Sequence, residues 1–149
     1  MEKGDISNEV VPRLCLVFEG LVALLPPKLA RRETVARKLG QWKRVINYYE
    51  PNEEMAKRIW DLTTRFSFQL ECVTWYPVDT VEHIKSWIDD QDLPISRVFN
   101  STPVLLSRSI AYRPNLAAIY DPDPSHRFTY GSKGRIVLDS AHADMLGSF

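Results

Sequence analysis

The sequence predicts an α/β fold: a three-layer, mostly parallel sheet covered by helices on both faces, within a single domain. Three observations predict it. Apolar runs of strand length recur along the chain, helical periodicities fall between them, and the first run, Arg13-Leu-Cys-Leu-Val-Phe18, is apolar without alternation, as in a strand buried on both faces. The chain has 149 residues, 44% of them apolar and 26% charged, enough to enclose one core, since a chain of this size buries roughly two-thirds of its unfolded surface. The domain is read as residues 1–149, with a core over about 13–139 and a basic insertion over about 27–49.

The strand Arg13–Phe18 ends at Glu19-Gly20, where a turn is possible. In the insertion Val35, Leu39, Trp42, Ile46 and Tyr49 follow helical spacing, but Gly40 interrupts them and Val45-Ile-Asn-Tyr-Tyr49 has strand composition. The reading is a short helix followed by a strand that stops at Pro51. Asn52 is a good N-cap, Glu53 and Glu54 complement a helix dipole, and Met55, Ile59, Leu62 and Phe66 form one helical stripe. A strand follows over Phe68–Thr74. Asp79 with Glu82 has the capping-box pattern, opening a helix whose inward residues are Val81, Ile84 and Ile88. Next come a strand at Arg97–Phe99, a helix around Leu105–Ala111, a strand at Leu116–Tyr120 that ends in Asp121-Pro-Asp123-Pro, and a last strand at Arg135–Leu138. Such alternation implies crossover connections and a parallel sheet.

Formal charge sums to zero, which argues against a surface that clings to nucleic acid as a whole. The charge is uneven, however. Between Lys28 and Arg44 seven basic residues face the single acid Glu33, a net +6 that leaves −6 elsewhere, and Asp79–Asp92 supplies five carboxylates of that remainder against Lys85. Arg31, Arg32, Arg37, Lys38, Trp42, Lys43 and Arg44 are the candidate partner-binding residues. They suit an acidic protein surface. Nucleic acid is the alternative, because Trp42, Tyr48 and Tyr49 interleave rings with cations, and a merely solvated face is the plain one. The apolar run Leu14–Leu25 contains Glu19 and is too short to cross a bilayer, so no membrane is expected and the expected compartment is the cytoplasm. Cys15 and Cys72 lie within predicted strands and read as buried thiols in a reducing environment.

In parallel α/β sheets ligands bind at the carboxyl ends of the strands. Glu19, Thr74, Asp121 and Asp123 each directly follow or close a predicted strand, so three separate regions converge on one edge. For Asp121 and Asp123 two readings stand: a proline-rich turn, or a metal or anion site. His83, His126 and His142 lack the mutual spacing of metal ligands and read as surface or loop residues. Thr129-Tyr-Gly131 and Ser132-Lys133-Gly134 read as a turn, for want of the strand–loop–helix setting of a phosphate cradle.

Leu14-Cys-Leu-Val-Phe-Glu-Gly20, Val73-Thr74-Trp75 and Ile119-Tyr-Asp-Pro-Asp-Pro124 together resemble, in their order and spacing, the motifs of the haloacid-dehalogenase-like superfamily of phosphotransferases. The likeness is to its small capless branch in bacteria and bacteriophages, which includes the domain associated with nucleic-acid repair proteins and the phosphatase half of polynucleotide kinase. It implies a Rossmann-like sheet and a bacterial or bacteriophage source. It also implies that the insertion occupies the place of the flap that covers the active site.

Set on that pattern, the nucleophilic aspartate falls at Val17, which has no atom able to attack phosphorus. The general acid falls at Glu19, a longer arm whose misplacement by about 1 Å lowers a rate about a hundredfold. The second-motif hydroxyl falls at Thr74, and Arg108 stands nearest to the basic third motif. Asp121 and Asp123 keep the acidity that would hold Mg²⁺, weakly if at all; no other cofactor is expected. The expected function is that of a catalytically inactive domain that binds another macromolecule, most plausibly a protein. The rivals are a Mg²⁺-dependent phosphatase or nucleotidase with an atypical site, and a nucleic-acid-binding module acting through the basic segment. The sequence is silent on oligomeric state.

Overall fold

The computed structural model describes residues 11–136 apart from 66, 114 and 127. Five strands form a wholly parallel sheet: β1 (Arg13–Val17), β4 (Gln69–Thr74), β5 (Arg97–Asn100), β6 (Leu116–Asp121) and β7 (Gly134–Ile136), in the order β5-β4-β1-β6-β7. Two further strands, β2 (Ala23–Leu24) and β3 (Glu50–Pro51), pair antiparallel as a two-residue stem.

After Arg13, β1 is apolar because it is central. Leu14, Leu16 and Phe18 point into one cluster and Cys15 and Val17 into another on the opposite face, all of them fully buried. The first face is covered by α1 (Ala30–Lys38), α2 (Trp42–Asn47), α3 (Glu53–Arg65) and α4 (Val81–Asp90), which contribute Ala36, Ile46, Ile59 and Ile88 among others. The second face carries α5 (Pro103–Ser109) and a following 3-10 turn, Ile110–Tyr112, through Leu106 and Ile110. The result is the three-layer α/β architecture. Among the described residues no helix is long and apolar enough to cross a membrane. Cys15 and Cys72 are free and buried, and burial pushes the Cys15 thiol up to about 12, so both act as small core side chains.

Three local expectations are corrected. Val45–Tyr49 is not a strand: α2 runs through it to Asn47, and Val45, Ile46 and Tyr49 turn one buried side to the core. Gly40, at φ +68°, ends α1 in the left-handed conformation that glycine adopts without strain, and the chain starts a second helix. Asp79 does not cap the fourth helix. A 3-10 turn, Val78–Thr80, precedes α4 with no side-chain cap at Pro77 or Thr80, and the Thr80 hydroxyl donates back to the Pro77 carbonyl at 2.7 Å. The helix expected at Leu105–Ala111 begins earlier, with Pro103 in its first turn and Thr102 as a working N-cap accepting from Leu105 N–H at 3.2 Å. Asn52 sits before α3 as expected, its Oδ1 3.4 Å from Met55 N. Phe66, His142 and the end of the last expected strand lie outside the described residues.

Candidate functional site at the carboxyl edge

β1 delivers the chain to Glu19, and a tight turn follows in which Ala23 N–H bonds Phe18 O at 3.0 Å and Gly20 N–H bonds Ala23 O at 2.8 Å. Gly20 has φ +86°, and a Cβ there would lie 3.1 Å from Pro122 Cγ. Glycine is therefore required twice, for its conformation and for the close approach of the β1 and β6 loops.

Glu19 folds back onto β4. Its Oε2 accepts from the Thr74 hydroxyl and from Trp75 N–H, each at 2.9 Å, and the Thr74 oxygen in turn accepts from Tyr76 N–H at 3.1 Å. Oε1 is enclosed and, among the described residues, has no hydrogen-bond partner. Burial pushes the Glu19 carboxyl up to about 7, against the hydrogen bonds that favour its charge. A buried carboxyl with one orphan oxygen is most stable when protonated.

Asp121 closes β6 and is fully buried. Its Oδ1 accepts from Asp123 N–H at 2.8 Å, and its Oδ2 lies 2.8 Å from the donating Tyr130 hydroxyl and 2.7 Å from His126 Nδ1. Asp123 turns outward, and its Oδ1 accepts from both the backbone and the hydroxyl of Ser125, which hold its carboxyl below the usual range. His126 Nε2 stands 3.5 Å from Asp123 Oδ2. The His126 ring meets Trp75 edge-on at 5.9 Å, so the Glu19 and Asp121 halves of the edge touch through Trp75 as well as through Gly20 and Pro122.

Glu19, Thr74, Asp121 and Asp123 thus lie on one edge. Val17 does not offer a polar atom there; it is buried among Cys15, Val73 and Ile119. Arg108 is exposed in the last turn of α5 and has no hydrogen bond or ion pair to these carboxylates among the described residues. The donor set does not fit Mg²⁺. Both Asp121 oxygens are held by Tyr130, His126 and Asp123, position 17 supplies none, and among the described residues no three His, Cys, Asp or Glu side chains group as a cation cage.

The sequence reads His126 as a surface or loop residue and Tyr130 as part of a turn; the structure has both engage Asp121. The available signal was the pair of prolines at 122 and 124, which fold the chain back within five residues. The sequence reading missed Glu33. This buried acid of α1 accepts from the Tyr76 hydroxyl at 2.7 Å and from Arg37 Nε at 3.0 Å, and the Tyr76 hydroxyl lies 2.7 Å from that of Tyr49. Burial pushes Tyr49 up to about 12 and Tyr76 higher still, the latter reinforced by its hydrogen bond with Tyr49.

The insertion hangs from the β2–β3 stem. Arg31, Arg32, Arg37 and Lys38 lie on α1, and Trp42, Lys43 and Arg44 on α2. The six cations are exposed. Trp42 differs: it packs partly against the core, 6.2 Å from the Tyr76 ring. Lys28, Arg31, Arg32 and Arg44 rim a groove of about 660 Å³ with Val35 and Leu39 in its lining. Compared with family models, with curated proteins and with solved structures, the chain matches none.

Proposed function

We propose that the chain is a haloacid-dehalogenase-like domain without phosphoryl-transfer activity, and that it binds an acidic, amphipathic protein segment through its basic insertion. The order β5-β4-β1-β6-β7, with a small antiparallel stem and insertion directly after β1, supports the first part. One contrast carries the second. The acids of the edge are engaged with the protein's own donors around a buried Val17, while the insertion's cations face solvent around a groove in which Val35 and Leu39 remain 53% and 65% exposed. Apolar side chains left open within a rim of one charge suit a partner with apolar residues on one side and carboxylates flanking them.

The test is fluorescence anisotropy with a synthetic helical peptide carrying leucine on one face and glutamate beside it. The peptide binds the wild-type protein and is released by raised salt. Binding falls at least about tenfold when Arg31→Glu, Arg32→Glu and Arg44→Glu are combined. A single-stranded oligonucleotide that binds more tightly than the peptide overturns the choice of partner. Turnover of an aryl phosphate with Mg²⁺, lost in Glu19→Gln and Asp121→Asn, overturns the loss of catalysis.

A further inference from the structure

Three arginines converge on one carboxylate at the opposite end of the sheet. Glu71 of β4 is buried, with a side chain 4% exposed. Its Oε1 takes the close bond from Arg113 Nη2, while its Oε2 lies 3.5 Å from Arg13 Nη1 and 3.6 Å from Arg97 Nη1. Arg13 and Arg97 are the first residues of β1 and β5, so the cluster sits at the amino ends of the strands, away from the Glu19–Asp121 edge. Among the described residues, three cations against one anion leave two positive charges there.

Contacts of 3.5–3.6 Å are ion pairs beyond hydrogen-bond length. Each guanidinium has five N–H donors, and a carboxylate offers about four acceptor positions; one glutamate does not saturate three arginines. Arg13 gives its Nε to Gln69 Oε1 at 3.2 Å, and the Arg97 and Arg113 guanidiniums stand 5.0 and 5.1 Å from the Phe99 ring centre. Glu71 and Phe99 thereby hold the forks in place. The three arginines line a groove of about 520 Å³ together with Phe99, Ser109 and Tyr112, a residue 86% exposed. That volume is typical of a small-molecule site.

We infer that this groove binds a phosphomonoester that carries a planar ring, of the nucleoside monophosphate class. A dianionic phosphate matches both the surplus charge and the planar forks of Arg13 and Arg97, and Tyr112 offers the face on which a base stacks. The site is independent of the carboxyl edge and of the basic insertion.

Titration calorimetry and amide NMR with adenosine monophosphate, inorganic phosphate and adenosine test it. Adenosine monophosphate binds saturably and shifts amides at Arg97 and Tyr112; phosphate binds more weakly, and adenosine does not bind. Arg97→Gln, more than half exposed at that side chain and leaving Arg113 on Glu71, weakens the nucleotide at least about tenfold. Tyr112→Ala weakens the nucleotide but not phosphate. The Tyr112 variant removes only an exposed ring and keeps the test decisive if Arg97→Gln melts early. Absence of saturable nucleotide binding overturns the proposal, as does affinity that survives Arg97→Gln in the folded protein. Phosphate bound as tightly as the nucleotide overturns the ring specificity.

Discussion

The carboxyl edge and the basic insertion are both dense in charge and treat it in opposite ways. At the edge, Asp121 is fully buried with three partners and Glu19 is held by Thr74 and Trp75. On the insertion the cations stand in solvent, and Arg37 is also tied to the buried Glu33. Buried charges that meet the protein's own donors fix structure, and removing one partner leaves the other uncompensated. Exposed charges contribute little to folding and remain available to another molecule. This edge thus engages its acids internally, while the insertion leaves its bases outward.

The largest effect expected from this contrast is at Val17. Val17→Asp places a carboxylate among the buried apolar side chains of Cys15, Val73 and Ile119, and denaturant unfolding should show a loss of about 3–5 kcal/mol. No phosphatase turnover should accompany it, since the remaining acids stay engaged. A variant that is both stable and active would mean that the edge is open, and the contrast would collapse.

Next is Glu19. Its folded carboxyl titrates near 7 against an ordinary 4.5, so between those values the folded state binds more protons than the unfolded state. Stability contributed by this group is therefore full below about pH 4.5, declines as pH rises to about 7, and is flat above. Glu19→Gln removes that slope. Relative to wild type, the variant should gain about 2–3 kcal/mol between pH 4.5 and pH 8, read as a flatter plot of melting temperature against pH. Parallel plots for the two proteins would show that Glu19 is ionised and solvated.

Much of the sheet was legible because a central parallel strand must be apolar on both faces, and β1 is. The convergence of Glu19, Thr74 and Asp121 was legible for the same reason, since strand ends in a parallel sheet share an edge. α2 was not, because Val45, Ile46 and Tyr49 carry strand-favouring side chains, and burial against the core overrode that propensity. His126 and Tyr130 were hidden for a different reason. Their role depends on how 3-10 turns return the chain after β6, and no periodicity records that. The Glu71 cluster was likewise invisible, since it joins β1, β4, β5 and the loop before β6 through register alone.

Tyrosines sharpen the comparison further. Tyr130→Phe leaves Asp121 buried with one donor fewer, and should destabilise by about 1–2 kcal/mol. Tyr76→Phe removes the hydroxyl that links Glu33 and Tyr49 and should act similarly, loosening the insertion in hydrogen exchange before the sheet. A neutral result at Tyr130 would imply that water replaces its hydroxyl, and that the edge is more open than its contacts imply.

The smallest effect on stability is expected where the largest effect on binding is proposed. Arg31 and Arg32 lie in the first turn of α1, where glutamate suits the helix dipole, while Arg44 lies in the last turn of α2, where it does not. The two opposing terms, together with the exposure of all three side chains, place the unfolding free energy of Arg31→Glu, Arg32→Glu, Arg44→Glu within about 1 kcal/mol of wild type. Arg37 is left out because its bond to buried Glu33 is structural, and Arg37→Glu alone should destabilise more than the triple variant. Measuring the two side by side separates cations that hold the insertion from cations that face a partner. If the triple variant unfolds more readily than Arg37→Glu, the insertion's bases are structural as well, and the division between an inward edge and an outward insertion fails.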